Sequence, residues 1–172
     1  METLSPTMSN VYEPHGEIRT KVWYLLPLRV YMGVMFLVAA YGKVEGGWLS
    51  DSSILGNMLT GSVDAETYPY GFYRAFFHGV LEPNIGLFSF MVVMGEICVG
   101  LALLTGTCTR WACVMAGFMM INFNIAFNSP ILKQAHNTTS FLAMLLVLFL
   151  ANGGMAYGAD HYLRGKLPRW LV

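Results

Sequence analysis

Charge is scarce in this chain: 10 Lys plus Arg and 10 Asp plus Glu among 172 residues, 12% in all. Soluble domains carry about 25% charged residues, so an ordinary water-soluble fold is excluded. The charges sum to zero, which leaves no basic field to attract a nucleic acid backbone. Cysteine is also scarce: Cys98, Cys108 and Cys113 form an odd set without a C-x-x-C spacing, so no disulfide framework is indicated. The histidines, His15, His78, His136 and His161, all lie outside the long apolar runs, which removes the axial ligands of a bis-histidine haem inside a bundle. There is no G-x-G-x-x-G, no Walker A loop and no clustered Cys/His set. Flavin, nucleotide, iron–sulfur and zinc sites therefore have no visible signature, and no metal site is expected. No internal repeat is evident, which disfavours a transporter. The first 20 residues are polar and lack an apolar run, so neither a signal nor a transit peptide is expected there.

What the chain has in abundance is apolar sequence, 55% of residues, gathered into stretches at 22–41, 85–105, 111–127 and 140–159. A helix needs about 20 such residues to cross a bilayer core; the third stretch is at the short end. The runs are continuously apolar instead of alternating, so they are helices and not barrel strands. The expected fold is an all-α membrane protein, a four-transmembrane-helix bundle embedded in lipid. Residues 22–160 form the membrane domain, between a polar tail at 1–21 and a basic, aromatic tail at 161–172. Arg19, Lys21, Arg110, Arg164, Lys166 and Arg169 would lie on one side and Lys43, Arg74 and Lys133 on the other. The positive-inside rule then sets both termini in the cytoplasm.

The loop at 42–84 is long and aromatic. Within YGFYRAFFHGVL, Phe72, Phe76 and Val80 repeat every four residues, Tyr73, Phe77 and Leu81 run beside them, and Arg74 and His78 share the opposite face. That pattern predicts a short amphipathic helix in the outer interface.

Two charges fall inside spans, Arg29 and Glu96, where each needs a partner or water. Counted from the inner span ends at 1.5 Å per residue, Arg29 is about 10 Å deep and Glu96 about 14 Å, close enough to pair. Asn122 at about 16 Å and Asn152 at about 10 Å add polar groups at similar depth. Asn124 lies about 200° from Asn122 around the helix and must point elsewhere. Such residues serve either as interhelical hydrogen-bonding glue or as a working site.

The runs LRVYMGVMFLVAAYGKV and FMVVMGEICVGLALLTGTCTRWA, with YRAFFHGVLEPN and GADHYL, resemble the DoxX/DoxD superfamily of small four-helix membrane proteins. The nearest likeness is to the DoxD branch, the small membrane subunit of thiosulfate:quinone oxidoreductase. The characteristic positions are Arg29, Gly33, Gly42 and Lys43, then Gly95, Glu96, Gly100, Gly106 and Arg110. The resemblance implies a subunit of a prokaryotic cytoplasmic membrane that passes electrons from a sulfur compound to quinone with a partner subunit. On that reading Glu96 and Arg29 are the catalytic pair, with Glu96 relaying protons. Arg29, Asn122, Asn152 and Tyr31 are the candidates to bind the quinone, and Lys43 and Arg74 the cations available to thiosulfate. A homo-oligomer is a further possible association. The alternative is a non-catalytic accessory or assembly subunit of a larger membrane complex.

Overall fold

The computed structural model describes residues 24–127, 138–151, 154 and 158–160. The expected tails and Asn152 lie outside them. Helix α1 spans Leu25–Glu45, α2 Ser53–Val63 and α3 Gly71–Phe76. A π-helical turn at Phe77–Leu81 and a 3-10 turn at Glu82–Asn84 lead into α4, Ile85–Thr105; α5 is Thr109–Ala126 and α6 Thr138–Leu150. Among the described residues there is no strand, and the expectation of an all-α chain holds.

Among the described residues two helical runs are long and apolar enough to cross a membrane, Leu25–Glu45 and Gly71–Thr105. Helix α5 has 18 residues but carries Arg110, Asn122 and Asn124, and α6 is strongly apolar but has 13 residues. Among the described residues the helix of the fourth apolar stretch runs to Leu150. Helices α1, α4, α5 and α6 pack on one another, α1 against α4 and α6, and α5 against α4 and α6. Their shared core contains Met32, Phe36, Val99, Leu103, Ala116 and Leu148. Outward, the same helices present Leu87, Phe90, Met91, Phe118 and Leu146, each more than half exposed. An apolar exterior around an apolar interior suits a solvent of lipid.

The 42–84 segment is more folded than its sequence predicts. Besides the expected amphipathic turn it contains α2, whose Leu55, Leu59 and Val63 are buried at every fourth position. In the second helix the buried stripe is Tyr73, Phe77 and Leu81, while Phe72, Phe76 and Val80 face outward. Together with Trp48 and Tyr68 these residues form a second core that caps α4 and α5 at Val93 and Ala126. Arg74 closes this cap. Its Nε donates to the Val63 carbonyl at 2.8 Å and its Nη2 to that of Ala65 at 2.9 Å. A cation is thereby set against the carbonyl end of α2, where the helix dipole favours it. The Tyr68 hydroxyl donates to the Ile125 carbonyl at 2.8 Å, and burial pushes its pKa up to about 12.

Candidate functional site

The register between α1 and α4 is set by glycine. A Cβ on Gly33 would stand 2.8 Å from Leu104 Cγ and 3.0 Å from the Gly100 carbonyl, and one on Gly100 would stand 2.7 Å from Leu37 Cγ. Antiparallel helices locked at these positions bring Lys43 down onto Glu96. The ammonium of Lys43 reaches both carboxylate oxygens, at 2.6 and 2.8 Å. Glu96 is 4% exposed, and a carboxylate so buried is tolerable only with a hydrogen-bonded counter-charge. Two aromatic rings flank the half-buried ammonium, with Lys43 Nζ 5.3 Å from the Trp48 centroid and 5.5 Å from that of Phe123. Trp48 is held in place by its own backbone: its N–H donates to the Lys43 carbonyl at 3.0 Å and its carbonyl accepts from the buried Ser89 hydroxyl at 2.7 Å.

The glycine register corrects the expected pairing of Arg29 with Glu96. Arg29 is level with Gly106, ten residues and about 15 Å along α4 from Glu96; a Cβ on Gly106 would lie 2.6 Å from Arg29 Nη1. Depth counted from residue 22 overlooks this, because α1 begins at Leu25 and its position is fixed by packing. Arg29, 1% exposed, instead feels the charge of Asp160. Asp160 organises the end of the bundle at the turn between α4 and α5. Its Oδ1 accepts from the Cys108 N–H at 2.6 Å and its Oδ2 from the Thr109 N–H at 2.9 Å, capping an α5 whose own cap residue supplies no side-chain bond. Its N–H donates to the Gly106 carbonyl at 2.8 Å. Gly106 and Cys108 both have positive φ, +67° and +47°. Only Gly does so without a steric penalty, and the Asp160 carboxylate helps hold Cys108 there. Sequence reasoning missed Asp160 as a site residue, because the groups it binds are backbone N–H.

A cavity of about 560 Å³ opens between α4 and α5 under the cap, with Leu55, Tyr73, Gly95, Cys98, Trp111 and Phe123 among its walls. Asn122 also lines it, its Nδ2 donating to the Phe118 carbonyl at 2.9 Å. Gly95 borders it with only the Met119 thioether near its missing side chain, at 3.3 Å. Phe123 belongs to both places, a wall of the cavity and a cover over Lys43.

The other expected residues are distributed more widely. Tyr31 is 48% exposed and stacks on Phe141, 6.4 Å between centroids, and it does not line the cavity. Gly42 faces open space and accepts the Gly46 N–H through its carbonyl at 2.9 Å. Arg110 lies over the Phe149 ring at 5.6 Å. Of the two cations expected for an outer anion, Lys43 is committed to Glu96 and Arg74 to the cap carbonyls. What the structure brings together is an ion pair with a buried carboxylate and a half-buried ammonium, and an apolar cavity, with the Phe123 ring at both.

No curated protein and no solved structure matches the chain. A family model described as DoxX matches residues 24–129, which include α1 to α5, both partners of the ion pair and every wall of the cavity. This membrane protein belongs to the DoxX family.

Proposed function

We propose that the chain is a four-span, DoxD-like subunit of a membrane oxidoreductase that passes electrons from thiosulfate or a related sulfur compound to quinone. It acts with a partner subunit on which the sulfur compound is oxidised. The observation that carries the quinone side is the apolar cavity beside the Lys43–Glu96 pair. A quinone needs an apolar slot for its ring and tail, and two electrons and two protons to become quinol. Among the described residues Glu96 is the carboxylate next to the cavity wall at Gly95, and it is the group to relay protons. Asn122 is the polar side chain on the opposite wall. The donor side rests on the likeness of the Gly95–Arg110 run to the DoxD branch. The positive-inside count favours both termini in the cytoplasm, and the resemblance to the DoxD branch is what implies a prokaryotic membrane.

A second reading has its own observation. Lys43 and Arg74, the cations suited to a sulfur anion, are both spent within the fold. This favours a non-catalytic accessory subunit, with the polar clusters serving as clamps.

Thiosulfate-dependent reduction of a short-chain quinone, by the complex purified from native membranes in mild detergent, separates the two. Turnover that falls about 100-fold or more in a folded Glu96→Gln variant establishes the oxidoreductase reading with Glu96 as relay. No turnover in a preparation that retains its partner chains moves the assignment to the accessory subunit.

A further inference from the structure

We propose that the Lys43 ammonium is the head-group site of a neutral, carbonyl-bearing amphipath whose tail lies in the α4–α5 cavity, with Phe123 as the movable cover between them. The inference builds on the cavity as a quinone site, and its test separates the two.

The first argument is the count of protons on Lys43. An ammonium has three donors. Two reach the Glu96 oxygens, at 2.6 and 2.8 Å, and among the described residues the third finds no oxygen, only the faces of Trp48 and Phe123. A ring face attracts a cation, but a charge-assisted bond to a carbonyl oxygen is the stronger use of that proton in a low-dielectric site. The second argument is charge. Lys43 and Glu96 sum to zero, so an anionic head would meet the carboxylate and a cationic head the ammonium; a neutral acceptor meets neither penalty.

The third argument is which ring yields. Trp48 is buried and tied through its N–H to Lys43 and through its carbonyl to Ser89. Phe123 is in the last turn of α5, stacked on Phe127 at 6.1 Å, and borders the cavity itself. Rotating it into that space exposes Lys43 to whatever the cavity holds. From Phe88 to Ala102 the cavity follows α4 for about 21 Å, long enough for an isoprenoid or acyl tail. A quinone or an ester lipid would supply the same carbonyl.

Trp48 and Trp111 make the test, since one stands over Lys43 and the other lines the far end of the cavity. Full-length protein keeping only Trp48 (Trp23→Phe, Trp111→Phe, Trp170→Phe) and protein keeping only Trp111 are titrated with a short-chain benzoquinone in detergent, reading fluorescence quenching. The expected result is saturable quenching of Trp48. Its affinity should fall about tenfold or more in Lys43→Met/Glu96→Gln, which removes donor and counter-charge together, and rise in Phe123→Ala. Suppression by dioleoylglycerol would assign the site to carbonyl amphipaths at large, and absence of suppression to quinones. Saturable quenching of Trp111 without Trp48, or an affinity indifferent to the Lys43 variant, overturns the head-group site and leaves the quinone function standing. No saturable quenching of either tryptophan overturns both.

Discussion

Gly33 and Gly100 press on each other's backbone across α1 and α4: a Cβ on either would stand 3.0 Å from the other's carbonyl oxygen. Such contact lets two helices approach where lipid offers no hydrophobic drive to associate. It also decides which charges meet, since one turn of slippage would part Lys43 from Glu96. Gly100→Ala is therefore expected to lower stability by about 1–3 kcal/mol, read as a lower unfolding midpoint in detergent. Gly42→Ala, where a Cβ meets nothing within 4 Å, should leave that midpoint nearly unchanged.

Removing one partner of the buried pair should cost more than removing both. Lys43→Met strands a carboxylate that is 4% exposed, at a cost of about 3–5 kcal/mol. The double variant Lys43→Met/Glu96→Gln has no buried charge left, and should recover a large part of that loss. A double-mutant cycle on unfolding midpoints measures the coupling. The parallel cycle for Arg29 and Glu96 is expected to be close to additive, because about 15 Å of helix separates Glu96 from the level of Arg29. Strong Arg29–Glu96 coupling would contradict the glycine register.

The helix at 85–105 was legible to the residue, as α4, because apolar length and the Gly106 stop act locally. Glu96 was legible as an outlier in that run. Its partner was not, since the choice between Arg29 and Lys43 depends on helix register, and register depends on where two glycines on different helices come into contact. Helix α2 hid for a different reason: Leu55, Leu59 and Val63 make one short stripe in a segment otherwise rich in Gly, Ser and Thr. Asp160 hid because its ligands are backbone N–H groups, which no side-chain pattern announces.

The cap should loosen in strong alkali through Tyr68. Its hydroxyl can donate to the Ile125 carbonyl only while protonated, and its folded pKa, pushed up to about 12 by burial, exceeds the ordinary phenol value of 10.0. A raised folded pKa means the contribution is complete below about pH 10 and lost as pH climbs through about 12. Absorbance at the phenolate band should show a late-titrating tyrosine that is absent from Tyr68→Phe. In that variant the alkaline loss of cap structure should no longer follow a step near pH 12.

Asp160 tests whether the α4–α5 turn end of the bundle is one cooperative unit. Its carboxylate caps α5 through two backbone N–H groups and places a negative charge beside Arg29. Asp160→Asn retains an oxygen acceptor for one N–H but loses the charge; Asp160→Ala loses both. The cap alone is worth about 0.5–2 kcal/mol, and removing the charge beside a buried guanidinium adds to it. The expected order of stability is therefore wild type, then Asn, then Ala. Hydrogen exchange at Cys108 and Thr109 should accelerate in the same order, while exchange in the cap around Tyr68 stays unchanged. Equal exchange in all three proteins would mean that the αL turn at Gly106–Cys108 holds itself, and that Asp160 merely rests on it.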